Sequence, residues 1–346
     1  MQNLKNYLKD IKNKNYKVGN RIKMKHKKQF LYIILVIFIA NCSNNNKASF
    51  DKNRKDNLKV QNTVINKKPE KNLKIEYLKT ITYSNLADKK VQDEVQDTLK
   101  NAGINSENIS SFFQSVNYYN NATENKDLIK SGFINSQNIN PIYDEIEIQK
   151  IWNKKNKDFL GFNCRITAFT LMKDFITVEN SITKSGEMLF MDMESLQNVP
   201  FKLFSQTEKN KFITLFSEIP TKSTKDIKFH VENVKKYWKE KGVKFNNKNK
   251  ISLISVFFHF NDEPEENILF IGHVGVLIPE KDGKLMFIEK LAFQQPYQVL
   301  KFNSRTELND YLMNKYDTAW GQSTAKPFIM ENDELLKEYR ENPNNK

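Results

Sequence analysis

Four short apolar runs follow one another at residues 251–260, 268–278, 285–291 and 297–302, and they limit the folds open to this chain. Each is rich in β-branched or aromatic side chains, and turn signals separate them at Asp262-Glu263-Pro264 and Asp282-Gly283. Upstream the apolar residues recur at helical spacing instead. Val91, Val95 and Leu99 share one face, Gly103 suits a C-cap, and Asn105-Ser106 can cap a second helix through Ile109, Phe112 and Phe113. Residues 207–219 and 226–241 read as further helices, the second bearing Val231, Val234 and Trp238 and ending at Gly242. After Cys164, the positions Ile166, Phe169, Leu171, Met172, Phe175 and Ile176 fit a helix of about three turns with one wide buried face. Helices followed by an antiparallel meander is an α+β order, not the alternation of a parallel doubly wound sheet.

The amino end bears on location. Met24-Lys25-His26-Lys27-Lys28 is a positive stretch, residues 30–40 are apolar, and Cys42 follows Ile39-Ala40-Asn41. Such a run is too short to span a bilayer as a helix and reads as a secretory signal. Ile39 and Ala40 fit the sequence that precedes a lipidated cysteine, whereas Asn41 stands where a smaller residue is usual. Residues 1–41 are therefore expected to be a signal peptide whose true start is Met24, with Cys42 as the lipidation site. Residues 42–72 hold the lipidated cysteine and an Asn/Lys-rich tether with too few large apolar side chains to fold. A single domain at 73–340 follows, with a helical part at 74–140 and a core at 150–330.

The net charge of +14 invites a nucleic-acid reading, and its distribution argues against one. Residues 1–41 hold 10 of the 55 Lys/Arg and 1 of the 41 acidic residues, so the rest carries 45 against 40, about +5. No arginine cluster or basic stripe interleaved with aromatics remains to track phosphates. A glycine-rich phosphate loop, a metal-spaced His/Cys cluster and a Gly-x-Ser-x-Gly elbow are also missing from the sequence, so no cofactor or metal is expected. The partner expected is the membrane, through the lipid, and no nucleic acid.

With Cys42 lipidated, one thiol is left, and an intramolecular disulfide is ruled out. That thiol, Cys164, opens an apolar helical pattern in Gly161-Phe162-Asn163-Cys164-Arg165. A helix N-terminus presents unpaired N–H groups and partial positive charge, which lower a cysteine's pKa from about 8.5. Three histidines downstream could serve as its base. His230 lies on a predicted helix and His259 in a very apolar strand, both settings for a structural imidazole. His273 lies between Gly272 and Gly275, which leave room for another backbone, a helix end or a substrate. The turn at Asp282-Gly283 would bring Glu289 across from the His273 strand, on a face shared with Leu285 and Phe287, where a lone carboxylate needs a partner. Gln295 is the substitute if the register shifts. Trp320-Gly321-Gln322 and Lys326-Pro327-Phe328 could form a substrate rim or simply pack on the sheet.

His273-Val-Gly-Val-Leu-Ile, a turn, then Leu285-Met-Phe-Ile-Glu289 resembles the His strand and following strand of NlpC-type cell-wall peptidases and their amidase-like relatives in the papain-like superfamily. The whole mature domain, with Gly161-Phe-Asn-Cys164-Arg and Phe328-Ile-Met-Glu-Asn-Asp-Glu-Leu-Leu336, is similar to a bacterial lipoprotein family known only as a domain of unknown function, the 4300 group. The resemblance implies a papain-like antiparallel sheet with the Cys-bearing helix packed on it. It also implies a triad of Cys164, His273 and Glu289 in a thiol hydrolase that cleaves amide bonds, with peptidoglycan peptides as substrate. This sequence departs from the superfamily's pattern at Arg165, where a small residue is usual, and in the 109 residues (273 minus 164) between Cys and His. The competing expectation is a non-catalytic cell-envelope lipoprotein that binds a ligand on the same scaffold.

If Cys42 carries the lipid, Cys42→Ala should abolish labelling by a fatty-acid probe and release the protein from membranes or leave an unprocessed precursor. Labelling that survives the substitution would reject the assignment.

Overall fold

The structure, a computed structural model, describes residues 77–346 except 247, 264, 265, 320 and 346. The segment read as a signal peptide, Cys42, the stretch read as a tether through residue 72 and Trp320 lie outside the described residues. Helices α1 (Lys89–Asn101) and α2 (Ser106–Ala122) come first, between strands β1 (Ile81–Ser84) and β2 (Ile134–Ser136). Then follow α3 (Glu145–Lys155), α4 (Cys164–Met172), β3 (Ile176–Thr177), α5 (Phe190–Asn198), α6 (Gln206–Phe216), β4 (Ile219–Pro220), α7 (Ile227–Lys241) and β5 (Lys244–Phe245). The meander is β6 (Ser252–Glu263), β7 (Glu266–Pro279), β8 (Leu285–Lys290) and β9 (Tyr297–Phe302), followed by α8 (Arg305–Tyr316), β10 (Phe328–Glu331) and β11 (Glu334–Leu335).

Mixed α+β architecture is thus established: eight α-helices among the described residues and one large antiparallel sheet of order β11-β10-β6-β7-β8-β9-β1-β2, with β4 also paired to β7. The helix boundaries have local causes. Asp88, Asn105 and Asp226 cap their helices with side-chain oxygens, Ser205 and Glu208 form a capping box on α6, and Gly242 ends α7 in the left-handed region at φ 64°. Three elements differ from the sequence expectation. The Cys164 helix stops at Met172, and Ile176 enters β3 instead. The helix read as 207–219 ends at Phe216, because Ile219 and Pro220 leave it to pair with Leu269 and Ile268 of β7. The part read as helical, 74–140, also supplies two strands: β1 pairs with β9, and β2 with β1.

Central strand β7 is buried along most of its length, which explains its near-continuous apolar run. The β8 side chains alternate between two environments. Met286 and Ile288 join the main core with residues of α2, α4 and α6, whereas Glu289 meets Tyr311 of α8. Helices therefore meet the sheet on both faces, and the candidate site lies where β7, β8, α4 and α8 come together.

Gly275 pairs with Glu289, and a Cβ built there would lie 2.3 Å from the Phe287 ring and 2.8 Å from the Ile288 carbonyl oxygen. Gly275→Ala should therefore cost about 1–3 kcal/mol of stability as β7 and β8 are pushed apart. Denaturant melts measure this, and an unchanged midpoint would contradict the close approach.

Candidate active site

Cys164 is the first residue of α4. Asn163 caps the helix from extended backbone, and its Oδ1 accepts from the Ile166 N–H at 3.0 Å. The cap stops the helix one residue before the thiol, which therefore sits at the positive end of the helix dipole. Among the described residues, the N–H groups of Cys164 and Arg165 have no hydrogen-bond acceptor.

His273 is set in place by a bulge. Val256 pairs with His273 but Phe257 pairs with Ile271, so Gly272 is the extra residue, and the following side chain is re-aimed. Only a residue without Cβ fits at 272, since a Cβ would lie 2.4 Å from the Phe258 ring. The last β7–β8 pair is Gly275–Glu289, which leaves His273 just beyond the point where the two strands part. Its ring stacks on Tyr316 of α8, with centroids 4.9 Å apart.

The structure brings the three residues singled out in the sequence together. His273 Nε2 lies 2.5 Å from Glu289 Oε2, and the Cys164 thiol lies close enough to the imidazole for each group to shift the other's pKa. Tyr311 donates its hydroxyl to the other carboxylate oxygen, Oε1, at 2.5 Å. With a donor on each oxygen, Glu289 is a carboxylate, His273 carries its proton on Nε2, and Nδ1 is the nitrogen left to face the thiol. Burial penalises every charge here, and the partners outweigh it. The Cys164 thiol is drawn below its ordinary value by the neighbouring His273 imidazole, with help from Arg165. The neighbouring Cys164 and the hydrogen-bonded Glu289 push His273 up to about 9. Glu289 is held below the usual carboxylate range by His273 first, then by Lys315 and Tyr311.

The group is closed off. Cys164 is 7 % exposed and His273 1 %. The other histidines have structural partners: His230 bonds to the Thr221 hydroxyl and the Thr224 carbonyl, and His259 bonds to Asn267 while accepting the Ala325 N–H at 3.0 Å. Gln295 does not substitute for Glu289. Its amide donates to Glu145, because the β7–β8 register places Glu289 itself beside the histidine. Phe328 enters β10 and Lys326 bonds to Glu341, so the segment past 325 packs on the sheet.

Sequence reasoning missed a supporting cluster. The Arg165 guanidinium donates to both oxygens of Asp192 at 2.9 and 2.6 Å, to the Ile271 carbonyl at 2.9 Å and to the Met188 carbonyl at 3.3 Å. Asp192 also accepts from Asn163 Nδ2 at 2.8 Å and is fully buried. The residues flanking the thiol are thereby tied to α5 and to the β7 backbone two residues before His273. A large cation thus occupies the position after the cysteine because it fastens the Cys helix to the His strand. The one visible signal in the sequence was an acidic residue between Met191 and Met193 in a helical segment.

An α+β protein with a buried Cys–His–Glu cluster, its His and Glu hydrogen-bonded, is the class that fold and site define. Within it, the chain belongs to the family described as a domain of unknown function, DUF4300, whose profile matches residues 82–336. No curated protein and no solved structure matches the chain. Among the described residues, no helix is long and apolar enough to cross a membrane, and no three or more His, Cys, Asp or Glu are grouped to hold a metal ion.

Asp192→Ala would leave the Arg165 guanidinium without its carboxylate in a largely buried site. The expected cost is about 3–5 kcal/mol. Chemical denaturation reads it, and a loss below about 1 kcal/mol would show that the cluster does not tie α4 to β7.

Proposed function

We propose that this protein is a thiol hydrolase of amide bonds with a papain-like, NlpC-type core, acting on peptides of the cell wall while anchored through Cys42. The observation that carries the reading is the buried cluster in which Glu289 binds the His273 imidazole at 2.5 Å and Cys164 lies beside that ring. A base that must take and return a proton needs its far nitrogen held, and Glu289 holds it. The substrate class rests on the resemblance of the His273 and Glu289 strands to cell-wall peptidases and on the export signal.

The chemistry follows from the proton positions. Cys164 gives its proton to His273 Nδ1, and the thiolate forms a bond to the amide carbonyl carbon. Charge developing on the carbonyl oxygen is received by the N–H groups of Cys164 and Arg165 in the first turn of α4. As the C–N bond breaks, the imidazolium transfers its proton to the departing amine, leaving a thioester. His273 then takes a proton from water, the resulting hydroxide attacks the thioester, and the acid leaves with regeneration of the thiolate–imidazolium pair. Arg165 and Asp192 touch no reacting atom and act by positioning.

Burial of the thiol favours a second reading, a catalytically silent lipoprotein that binds its ligand elsewhere on the same scaffold. Thiol reactivity separates the two.

Iodoacetamide should alkylate Cys164 well below pH 8.5, rising through the lowered thiol value, because the thiolate is stabilised by a protonated His273. Hydrolysis should decline above about pH 9, where His273 loses the proton that the leaving amine needs. On muropeptides, Cys164→Ala should abolish turnover and His273→Ala should lower it on the order of 10³-fold or more, while Glu289→Gln keeps partial activity. A thiol that reacts only near its ordinary value, or a Cys164→Ala variant that still hydrolyses, would end the enzyme reading.

A further inference from the structure

Glu289 is the end of a longer buried line. Its Oε1 accepts from Tyr311, whose hydroxyl also lies 3.2 Å from Gln298 Oε1. Gln298 stands opposite Glu289 on β9 and donates its amide N–H to the Tyr143 hydroxyl at 2.5 Å. Tyr143 also accepts from Asn85 Nδ2 at 3.1 Å, and Asn85 receives the Ile129 N–H. Asn85 and Gln298 are fully buried and Tyr143 nearly so. The line thus runs from His273 to the segment just after β1, and beyond Glu289 it passes through residues that the mechanism above does not use.

The proton count along this line has a consequence. Tyr311 has one hydroxyl proton and two oxygens facing it, Glu289 Oε1 and Gln298 Oε1. Gln298 presents its oxygen to Tyr311 because its Nε2 is turned to Tyr143, to which it donates one N–H. If that anchor were lost, the amide could turn and offer an N–H to the Tyr311 oxygen, which would free the Tyr311 proton for Glu289 alone. Two donors on one carboxylate compete: the more of its charge Tyr311 takes, the less is left for His273.

We propose that Tyr311 is a positioning residue that sets how strongly Glu289 holds the His273 imidazole, and that Tyr143, acting through Gln298, sets how much of the Tyr311 proton reaches Glu289. This rests on the assignment of Glu289 as the residue that orients His273. It gives the N-terminal part a role at the site, since Tyr143 and Asn85 precede the Cys helix in the chain.

The test is proton NMR of the folded protein, following the downfield imidazole N–H resonance that His273→Gln removes. Tyr311→Phe should move this line further downfield, because Glu289 is left with one donor and binds it more tightly. Tyr143→Phe should move it upfield, because Tyr311 then gives its proton wholly to Glu289. A line unmoved by both substitutions in folded variants, or moved the same way by both, overturns the proposal. Should Tyr311→Phe fail to fold, the Tyr143→Phe shift decides alone: upfield supports the proposal, unmoved or downfield overturns it. The readout does not depend on turnover. An unreactive thiol would defeat the proposed hydrolase and leave the NMR result to be judged independently.

Discussion

A carboxylate held in an apolar face is the constraint on which the rest of the structure turns. Glu289 has no exposed surface, and an ion so placed survives only if each oxygen is met by a donor. The donors come from different elements: the imidazole from β7 and a phenol from α8. Bringing them together fixes three things in turn. The β7–β8 register must pair Gly275 with Glu289, the bulge at Gly272 must aim His273, and α8 must lie over the face that Glu289 occupies. Once Glu289 is ionised and pinned, the proton on His273 is confined to Nε2, and the only nitrogen left for the thiol is Nδ1.

The second requirement is that α4 should arrive at the same place. Helix packing on β7 and β8 sets its approach only coarsely, because apolar side chains tolerate sliding in a way that hydrogen bonds do not. The Arg165–Asp192 pair removes that freedom. It bonds the residue after the thiol to α5 and to the Ile271 carbonyl, while Asp192 also holds the Asn163 side chain that caps the helix. Both neighbours of Cys164 are thus fastened to elements fixed on the sheet, which places the thiol relative to His273 without any contact by the thiol itself.

Much of this was legible in the residues. The meander showed because each strand is a short apolar run bounded by a turn, and Asp282-Gly283 gave the β7–β8 hairpin from which Glu289 follows as a neighbour of His273. The helix at Cys164 showed through the apolar positions after it, while its cap, Asn163, was found only in the structure. What could not be read depended on partners distant in sequence. The pattern of α8 gave no sign of the element, since Leu308, Tyr311, Leu312 and Met313 are buried together with Asn309 and Asp310, and a helix apolar on one stripe only was the signal sought. β10 and β11 flank a polar turn at Asn332-Asp333, and β10 pairs back to β6, a contact across some seventy residues. Strands β1 and β2 are too short to alternate visibly, and the helices beside them dominate the local pattern.

Lys290 extends the argument from the carboxylate to its immediate neighbour. As the next residue on β8 it points to the opposite face, where its ammonium donates to the carbonyls of Ala292, Phe293 and Gln295 and lies 3.9 Å from the centre of the Tyr119 ring. Burial drives its pKa far down, with the Cys164 charge opposing. Three carbonyl oxygens around the nitrogen oppose that trend, since they match the three N–H donors of an ammonium where a neutral amine has two. Adjacent residues of one strand thus place ionisable groups on opposite faces of the sheet. Each is stabilised by groups that the fold has already ordered. The loop at 291–296, wrapped around the Lys290 ammonium, lies against Gly161 three residues before the thiol, with Phe293 O 3.6 Å from where a Cβ on Gly161 would be. The segment leading into Cys164 is thereby braced from the β8 side, as Arg165 braces it from the side of α5.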